Sequence, residues 1–200
     1  MATAIITGSG GLVGSAAVQA CVARGFEVIG LDNDMRSQFF GPEASTRPTT
    51  ARLVEQLTSF RSLELDIRDA AGVERVVAEH RRELELVIHA AAQPSHDWAA
   101  GDVHTDFGVN AVGTLNLLEA LRRHKPDATF VHCSTNKVYG DRPNTLPFVE
   151  HATRYDLPPE HRWYQGIDTS MSVDQTMHSL FGVSKLAADA LVQEYGRYFD

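Results

Sequence analysis

Gly8, Gly11 and Gly14 stand at a spacing that lets backbone N–H groups approach a pyrophosphate with no side chain between. Asp32, some twenty positions on, carries a carboxylate suited to accepting hydrogen bonds from the hydroxyls of an adenosine ribose. Asp32 and the nearby Asp34 repel a 2′-phosphate, which favours NAD over NADP. Arg36 argues the other way, unless it is a solvated loop charge. A bare glycine triplet is a weak signal, because many loops carry one. It gains force only where a strand enters the turn and a helix leaves it, so that the helix N-terminus also faces the phosphates.

The surrounding chain supplies those elements. Ala4-Ile5-Ile6 is an apolar run too short for a helix and reads as a buried strand. Leu12, Val13, Ala16, Ala17, Ala20 and Cys21 follow at helical period and end at Arg24-Gly25, a cationic last turn with a glycine stop. Glu27 to Leu31 forms the second strand and delivers Asp32 at its end. One helix is expected at 50–58, a third strand at Arg61 to Leu65 and a helix from Asp69 to Arg82. Asp66-Ile67 lies at a strand's carboxyl end, where it either contacts the adenine or caps the next helix. The fourth strand, Leu84 to His89, runs into Ala90-Ala91-Ala92, whose small side chains also admit a ligand to the backbone. A helix over Thr105 to His124 follows, with Phe107, Ala111, Leu115, Leu118 and Leu121 as its apolar face. Asn110 interrupts that face, and as a buried amide it must tie strand ends together near the site. The fifth strand is Ala128 to His132.

Strands alternating with helices across short connections specify an α/β fold, a doubly wound parallel sheet of Rossmann type. Cofactor contacts are expected along its carboxyl edge from Gly8, Gly11, Leu12, Val13, Gly14, Asp32, Asn33, Asp66, Ile67, Ala90, Ala91, Ala92 and Asn110. The whole of 1–200 reads as one NAD-binding domain. Its rhythm breaks at 140–178, where Pro143, Pro147, Pro158 and Pro159 join Phe148, Tyr155, Trp163 and Tyr164 without periodicity. A long aromatic loop in a compact domain is expected to bind substrate or act as a lid. An amphipathic helix, Phe181 to Phe199, closes the chain with Val183, Leu186, Ala190 and Tyr195 on its apolar side.

A net charge of −8 argues against a nucleic-acid partner, which calls for a basic face. No apolar run approaches the length of a membrane span and the N-terminus lacks a leader pattern, so a cytoplasmic location is the default expectation. Cys21 and Cys133 read as small buried apolar residues, with no metal site among the expectations.

Thr7-Gly8-x-x-Gly11-x-x-Gly14, Asp32, Asp66-Ile67-Arg68, His89-Ala90-Ala91, Asn110-x-x-Gly113-Thr114 and Ser134-Thr135-x-x-Val138-Tyr139-Gly140 accumulate along the chain. Together they resemble the extended short-chain dehydrogenase/reductase family, the NAD-dependent nucleotide-sugar epimerases and dehydratases. Within it, Ser134 to Asp141 followed by the long insertion looks most like the CDP-paratose (CDP-tyvelose) 2-epimerases. The resemblance implies that a sugar hydroxyl is oxidised to a transient ketone and re-reduced on its other face, with a CDP- or UDP-sugar as substrate. It implies that Thr135 binds the reacting oxygen and that Lys185 holds the nicotinamide ribose. It also implies a homodimer formed through the helices at 105–124 and 181–199, although their apolar stripes fit burial in a monomer core equally well.

Three departures from the family pattern bear on function. The 4,6-dehydratases carry Asp-Glu where this chain has Asn136-Lys137, which disfavours dehydration. The catalytic Tyr-x-x-x-Lys is here Phe181-x-x-x-Lys185, and phenylalanine has no proton to exchange. Tyr164 and His178 are the substitutes within reach of the motif in sequence. Family members also continue into a smaller C-terminal substrate domain that these 200 residues lack. The readings left standing are an epimerase, a non-catalytic NAD-binding module, and a related oxidoreductase or dehydratase.

Overall fold

β1 (Thr3–Thr7) is the hub of the sheet because its five residues are all buried, which requires partners on both edges and both faces. In the computed structural model, which describes residues 1–199, β1 pairs in parallel with β2 (Glu27–Asp32) on one side and β4 (Leu84–His89) on the other. β3 (Phe60–Glu64) extends the first side and β5 (Thr129–His132) the second, giving the order β3-β2-β1-β4-β5. The order reverses between β1 and β4, so the chain leaves their carboxyl ends in opposite directions and opens a crevice there.

Alternation along the strands divides the core in two. Ile5, Ile29, Leu31, Leu84 and Val87 meet Val73, Val76 and Val77 of α4 (Ala70–His80) and Leu117, Ala120 and Leu121 of α7 (Gly113–His124). On the opposite face Ala4, Ile6, Val28 and Phe60 meet Val18 and Cys21 of α1 (Leu12–Ala23) and Leu53 of α3 (Arg47–Gln56). The sheet is therefore covered by helices on both faces, as the doubly wound reading requires.

Short elements escaped the sequence pattern. α2 (Met35–Phe40), α5 (His96–Gly101) and α6 (Val103–Phe107) each span fewer than two turns, too few for a periodic signal. The starts of α5 and α6 are nevertheless written in caps. Ser95 accepts from the Trp98 N–H at 3.2 Å and Asp102 from the Thr105 N–H at 3.0 Å. The helix expected over Thr105 to His124 is α6 and α7 joined by a π-helical turn, Gly108–Val112. Asp69, not Asp66, caps α4 by accepting from the Gly72 N–H, so the capping alternative for Asp66 is corrected. Segment 140–178 holds a 3-10 turn at Arg142–Thr145 and a two-residue hairpin, β6 (Val149–Glu150) with β7 (Tyr155–Asp156). Cys21 is buried as expected, whereas Cys133 is only partly buried; both are free thiols.

α8 (Leu180–Tyr198) corrects the stripe read from sequence. Its buried face is Phe181, Gly182, Ser184, Lys185 and Ala188, while Val183 and Ala190 are exposed. The helix turns polar residues inward because they bond to the strand ends, as described below.

A buried hydrogen-bonded chain crosses the sheet edge. The Thr114 hydroxyl donates to the Asn110 carbonyl at 2.6 Å and so has only lone pairs left for His89 Nε2 at 2.9 Å. His89 Nε2 must then carry the proton, and Nδ1 accepts from the Thr7 hydroxyl at 2.7 Å. Burial holds the His89 imidazole well below its ordinary value, with His132 and Lys185 adding to it. Burial and the Lys185 ammonium push His132 down to about 4, and neither of its ring nitrogens has a partner.

Both imidazoles are neutral in the fold and take up protons on unfolding once the pH falls below the ordinary 6.5. The unfolded chain then binds more protons, so stability drops as pH falls from about 6.5 towards 4. Thermal melts across that window are expected to show a falling Tm. His132→Phe should flatten the slope in part, leaving the share that belongs to His89.

Candidate active site

Thr7 ends β1 and the chain must turn sharply into α1. Gly8 takes φ +65°, and a Cβ there would lie 2.9 Å from the Ala91 backbone. At Gly14, on the first turn of α1, a Cβ would lie 2.0 Å from the Gly8 carbonyl oxygen. These two glycines serve the packing of turn, helix and β4 end. Gly11 differs, since a Cβ there meets only the Gly8 carbonyl at 3.2 Å. Its bare backbone therefore serves whatever lies outside the protein, in the crevice ahead of α1.

That crevice is lined by Gly8, Gly11, Leu12, Val13 and Gly14 from the first turn, and by Asp32 and Asn33 from the end of β2. Asp66 and Ile67 after β3 and Ala90, Ala91 and Ala92 after β4 complete the expected set. Leu12 and Val13, expected both at helical period and as cofactor contacts, are exposed at its mouth, Leu12 by 91%. Asn110 does not line the crevice. It stands behind, accepting from the Gln93 N–H at 3.0 Å and donating to the Gln93 carbonyl at 3.1 Å, Asp106 at 3.0 Å and the Ser184 hydroxyl at 3.0 Å. Arg36, weighed in the sequence as a cation or a solvated loop charge, lines the crevice, as do Met35, Phe39, Pro94 and Val109, which were not singled out. Phe39 and Trp98 stack with ring centres 4.7 Å apart, and the Trp98 indole donates to the Phe39 carbonyl at 2.7 Å. This strap ties α2 to α5 across the opening.

The Asp32 carboxylate is held by three donors: the Gly10 N–H at 2.9 Å, the Asp34 N–H at 2.9 Å and the Thr46 hydroxyl at 2.8 Å. Asp34 sits at φ 55° and accepts from Ser45, Thr46 and Arg47. Hydrogen bonds from Thr46 and Ser45 outweigh burial and keep its carboxyl below the usual range. The arginines nearby are engaged, Arg47 with Asp34 and Glu64, Arg36 over the Phe40 ring at 5.0 Å. An ionised pair of carboxylates with engaged cations suits free ribose hydroxyls and opposes a 2′-phosphate. Bare glycine backbone at a helix N-terminus, a fixed ribose-binding carboxylate and an alanine wall fit NAD.

A second group of residues gathers where β5 ends. Ser134 and Thr135 extend the strand, and Thr135 caps a 3-10 turn, Asn136–Tyr139, by accepting from the Lys137 N–H at 3.3 Å. α8 packs directly on this turn, since a Cβ on Gly182 would lie 3.1 Å from the Lys137 carbonyl. Lys185, only 4% exposed, donates to the Cys133 carbonyl at 3.0 Å. Burial lowers its ammonium from the usual value, against the pull of Cys133, Asp189 and Asp106. Phe181 lies one helical turn earlier on the same buried face. Fold and hydrogen bonding thus bring Thr135, Phe181 and Lys185 to one place.

Tyr164 is not part of it. The residue is half-exposed within the long segment, its N–H bonded to the His161 carbonyl at 2.9 Å, and it lines neither cavity beside Thr135 and Phe181. The expectation that Tyr164 replaces the missing phenol is corrected. His178 does line the cavity beside Phe181, but its Nε2 is bonded to the Val173 carbonyl at 3.0 Å and its Nδ1 is buried. Among the described residues no cluster of metal ligands occurs and no helix is long and apolar enough to cross a membrane.

The sequence profile of the NAD dependent epimerase/dehydratase family matches residues 4–200. A CDP-paratose 2-epimerase of Salmonella typhi is 32% identical over 98% of the chain and 53% of its own length. A dTDP-glucose 4,6-dehydratase of Neisseria gonorrhoeae is 29% identical over 98% of the chain and 50% of its own. The Thermus thermophilus UDP-glucose 4-epimerase in complex with NAD superposes with a TM-score of 0.69 at 28% identity, covering 98% of this chain and 51% of that one. The chain spans about half the length of each of these relatives.

The glycine geometry separates folding from binding. Gly14→Ala is expected to lower Tm markedly, because overpacking against backbone costs about 1–3 kcal/mol. Gly11→Ala should melt close to the parent yet bind NAD at least roughly tenfold more weakly, about 1.4 kcal/mol. Differential scanning fluorimetry and calorimetric NAD titration read the two effects separately.

Proposed function

The chain belongs to the NAD dependent epimerase/dehydratase family, and from that premise we propose that it is the cofactor-binding part of a nucleotide-sugar epimerase. The observation that carries this reading is a buried Lys185 bonded to the Cys133 carbonyl, two residues before Thr135, at a turn that continues with Asn136 and Lys137. Bound NAD would supply a hydride acceptor and donor. Gly8, Gly11, Gly14, Asp32 and the Ala90–Ala92 wall would hold it. In this reading Thr135 Oγ1 orients the reacting sugar oxygen. The Lys185 ammonium stabilises negative charge on that oxygen, and its burial strengthens the effect. An amide and a lysine at 136 and 137 supply no carboxylate pair to expel a hydroxyl and abstract a proton, which favours epimerisation over dehydration. Segment 140–178, which borders both cavities, is proposed to contact the sugar; a CDP- or UDP-sugar is the substrate class. A homodimer is also proposed, supported by the exposed apolar side chains of Val103, Phe107, Val112 and Val183 on α6, the π-helical turn and α8.

Phe181 favours a second reading, a non-catalytic NAD-binding module, because the phenol that exchanges the proton is absent.

Incubating the full-length protein and NAD with CDP- and UDP-sugars, followed by NMR of the sugar ring, separates the readings. The epimerase is expected to interconvert epimers with no net NADH absorbance. Thr135→Val and Lys185→Met should each lower that rate about 100-fold or more with the fold retained. A dehydrated product indicates a dehydratase, and bound NAD with no conversion indicates the module.

A further inference from the structure

The geometry points to His96 as the group that takes up and returns the proton a tyrosine at position 181 would have handled. This deepens the epimerase reading and rests on it. Phe181 is 7% exposed and packs against His96, with ring centres 4.9 Å apart and planes inclined at 56°. An imidazole therefore stands against the ring that lacks a hydroxyl. It opens onto a cavity shared with Asn136, Lys137 and His178. Asn136 also lines a second cavity with Thr135, its amide oxygen 3.4 Å from Thr135 Oγ1, so one side chain borders both the imidazole's cavity and the threonine's.

The backbone of His96 is fixed. Ser95 caps α5, the Gln93 side chain bonds the Ser95 N–H and carbonyl, and the Trp98 indole is tied to α2. The other candidates in the region are engaged or distant. His178 is bonded to Val173, His89 and His132 are buried in the sheet edge, and Tyr164 lies elsewhere. Among the described residues no hydrogen bond or ion pair occupies either ring nitrogen of His96, which is exposed to the cavity. Charges reach it from every element around it. Asp106 of α6, 1% exposed, interacts electrostatically with His96 from below, Lys137 faces it from the turn after β5, and Lys185 and His178 lie on the α8 side. Imidazole is the side chain most often used as a general acid and base.

The step balances. As the carbinol C–H hydride leaves for the nicotinamide, the O–H proton passes to a neutral imidazole nitrogen and a ketone forms. When hydride returns to the opposite face, the imidazolium gives the proton back to the oxygen, with no net redox change.

The test uses full-length protein, NAD, UDP-glucose and CDP-glucose. His96→Gln, at an exposed position, should melt like the parent and lose about 100- to 10,000-fold in epimerisation, with loss of the acidic limb of the kcat–pH profile. Adding Phe181→Tyr to His96→Gln should recover at least about tenfold, and that recovery distinguishes a proton carrier from a packing residue. Independently of turnover, the His96 ring signals in a pH-dependent NMR titration should move when NAD and either nucleotide sugar are added together. Retained turnover with an unchanged pH profile overturns the proposal and leaves the epimerase reading intact. His96 signals unmoved by NAD and both sugars overturn it whatever the activity. A parent protein that interconverts no epimer overturns the epimerase reading and this step with it.

Discussion

The carboxyl edge of this sheet depends on two backbones meeting with no side chain between them. Gly8 and Ala91 approach so closely that any Cβ on Gly8 would enter the Ala91 backbone, and the contact is locked by the Ala91 N–H donating to Thr7 Oγ1 at 3.0 Å. From Thr7 the hydrogen bonds continue through His89 and Thr114 to Asn110, and from the Asn110 amide to Ser184 on α8. One chain of buried polar groups thus links the glycine turn, the end of β4, the π-helical turn and the last helix. Each member satisfies the next, which a buried polar group requires if it is not to cost stability. The glycine turn and the end of β4, both members of this chain, line the crevice.

The π-helical turn follows from the same constraint. A regular helix through Gly108–Val112 would have to place Asn110 and Thr114 within one unbroken ladder. The extra residue in the turn lets Asn110 face Gln93 and Asp106 while Thr114 bonds back to the Asn110 carbonyl. Asp106, buried with its carboxyl raised by that burial, is the anchor of the group, and its hydrogen bonds from Ser184, Gln93 and Asn110 offset part of the rise.

Much of this was legible in the sequence because strong local rules wrote it. Strand β1, the glycine turn, α1, α4 and the β4 end are long or sharply punctuated, and the residues lining the crevice fall where those rules put them. Asn110 and Thr114 were visible as breaks in an apolar stripe, a signal of buried polar work without its partners. α8 misled because periodicity assumes that the buried face is apolar. Its inward residues Ser184 and Lys185 are held by Asn110 and the Cys133 carbonyl, interactions from residues 52–74 positions away that no local window contains. His96 and the Phe39–Trp98 strap were illegible for a related reason, since their meaning lies in contacts made by short capped turns.

The electrostatics of the β5 end show why these histidines and lysine belong together. Lys185, His89 and His132 crowd one region, and burial works against charge on all three. Two neutral imidazoles beside one ammonium is the arrangement that limits repulsion, and it leaves Lys185 as the dominant positive charge with Asp106 and Asp189 as its carboxylate neighbours. A desolvated ammonium favours negative charge developing on any oxygen brought close to it. An alkoxide forming as a sugar carbon loses hydride is such a charge, whereas a neutral hydroxyl gains less. In the epimerase proposed above, the buried lysine would discriminate between the two along the reaction, with His89 and His132 neutral beside it.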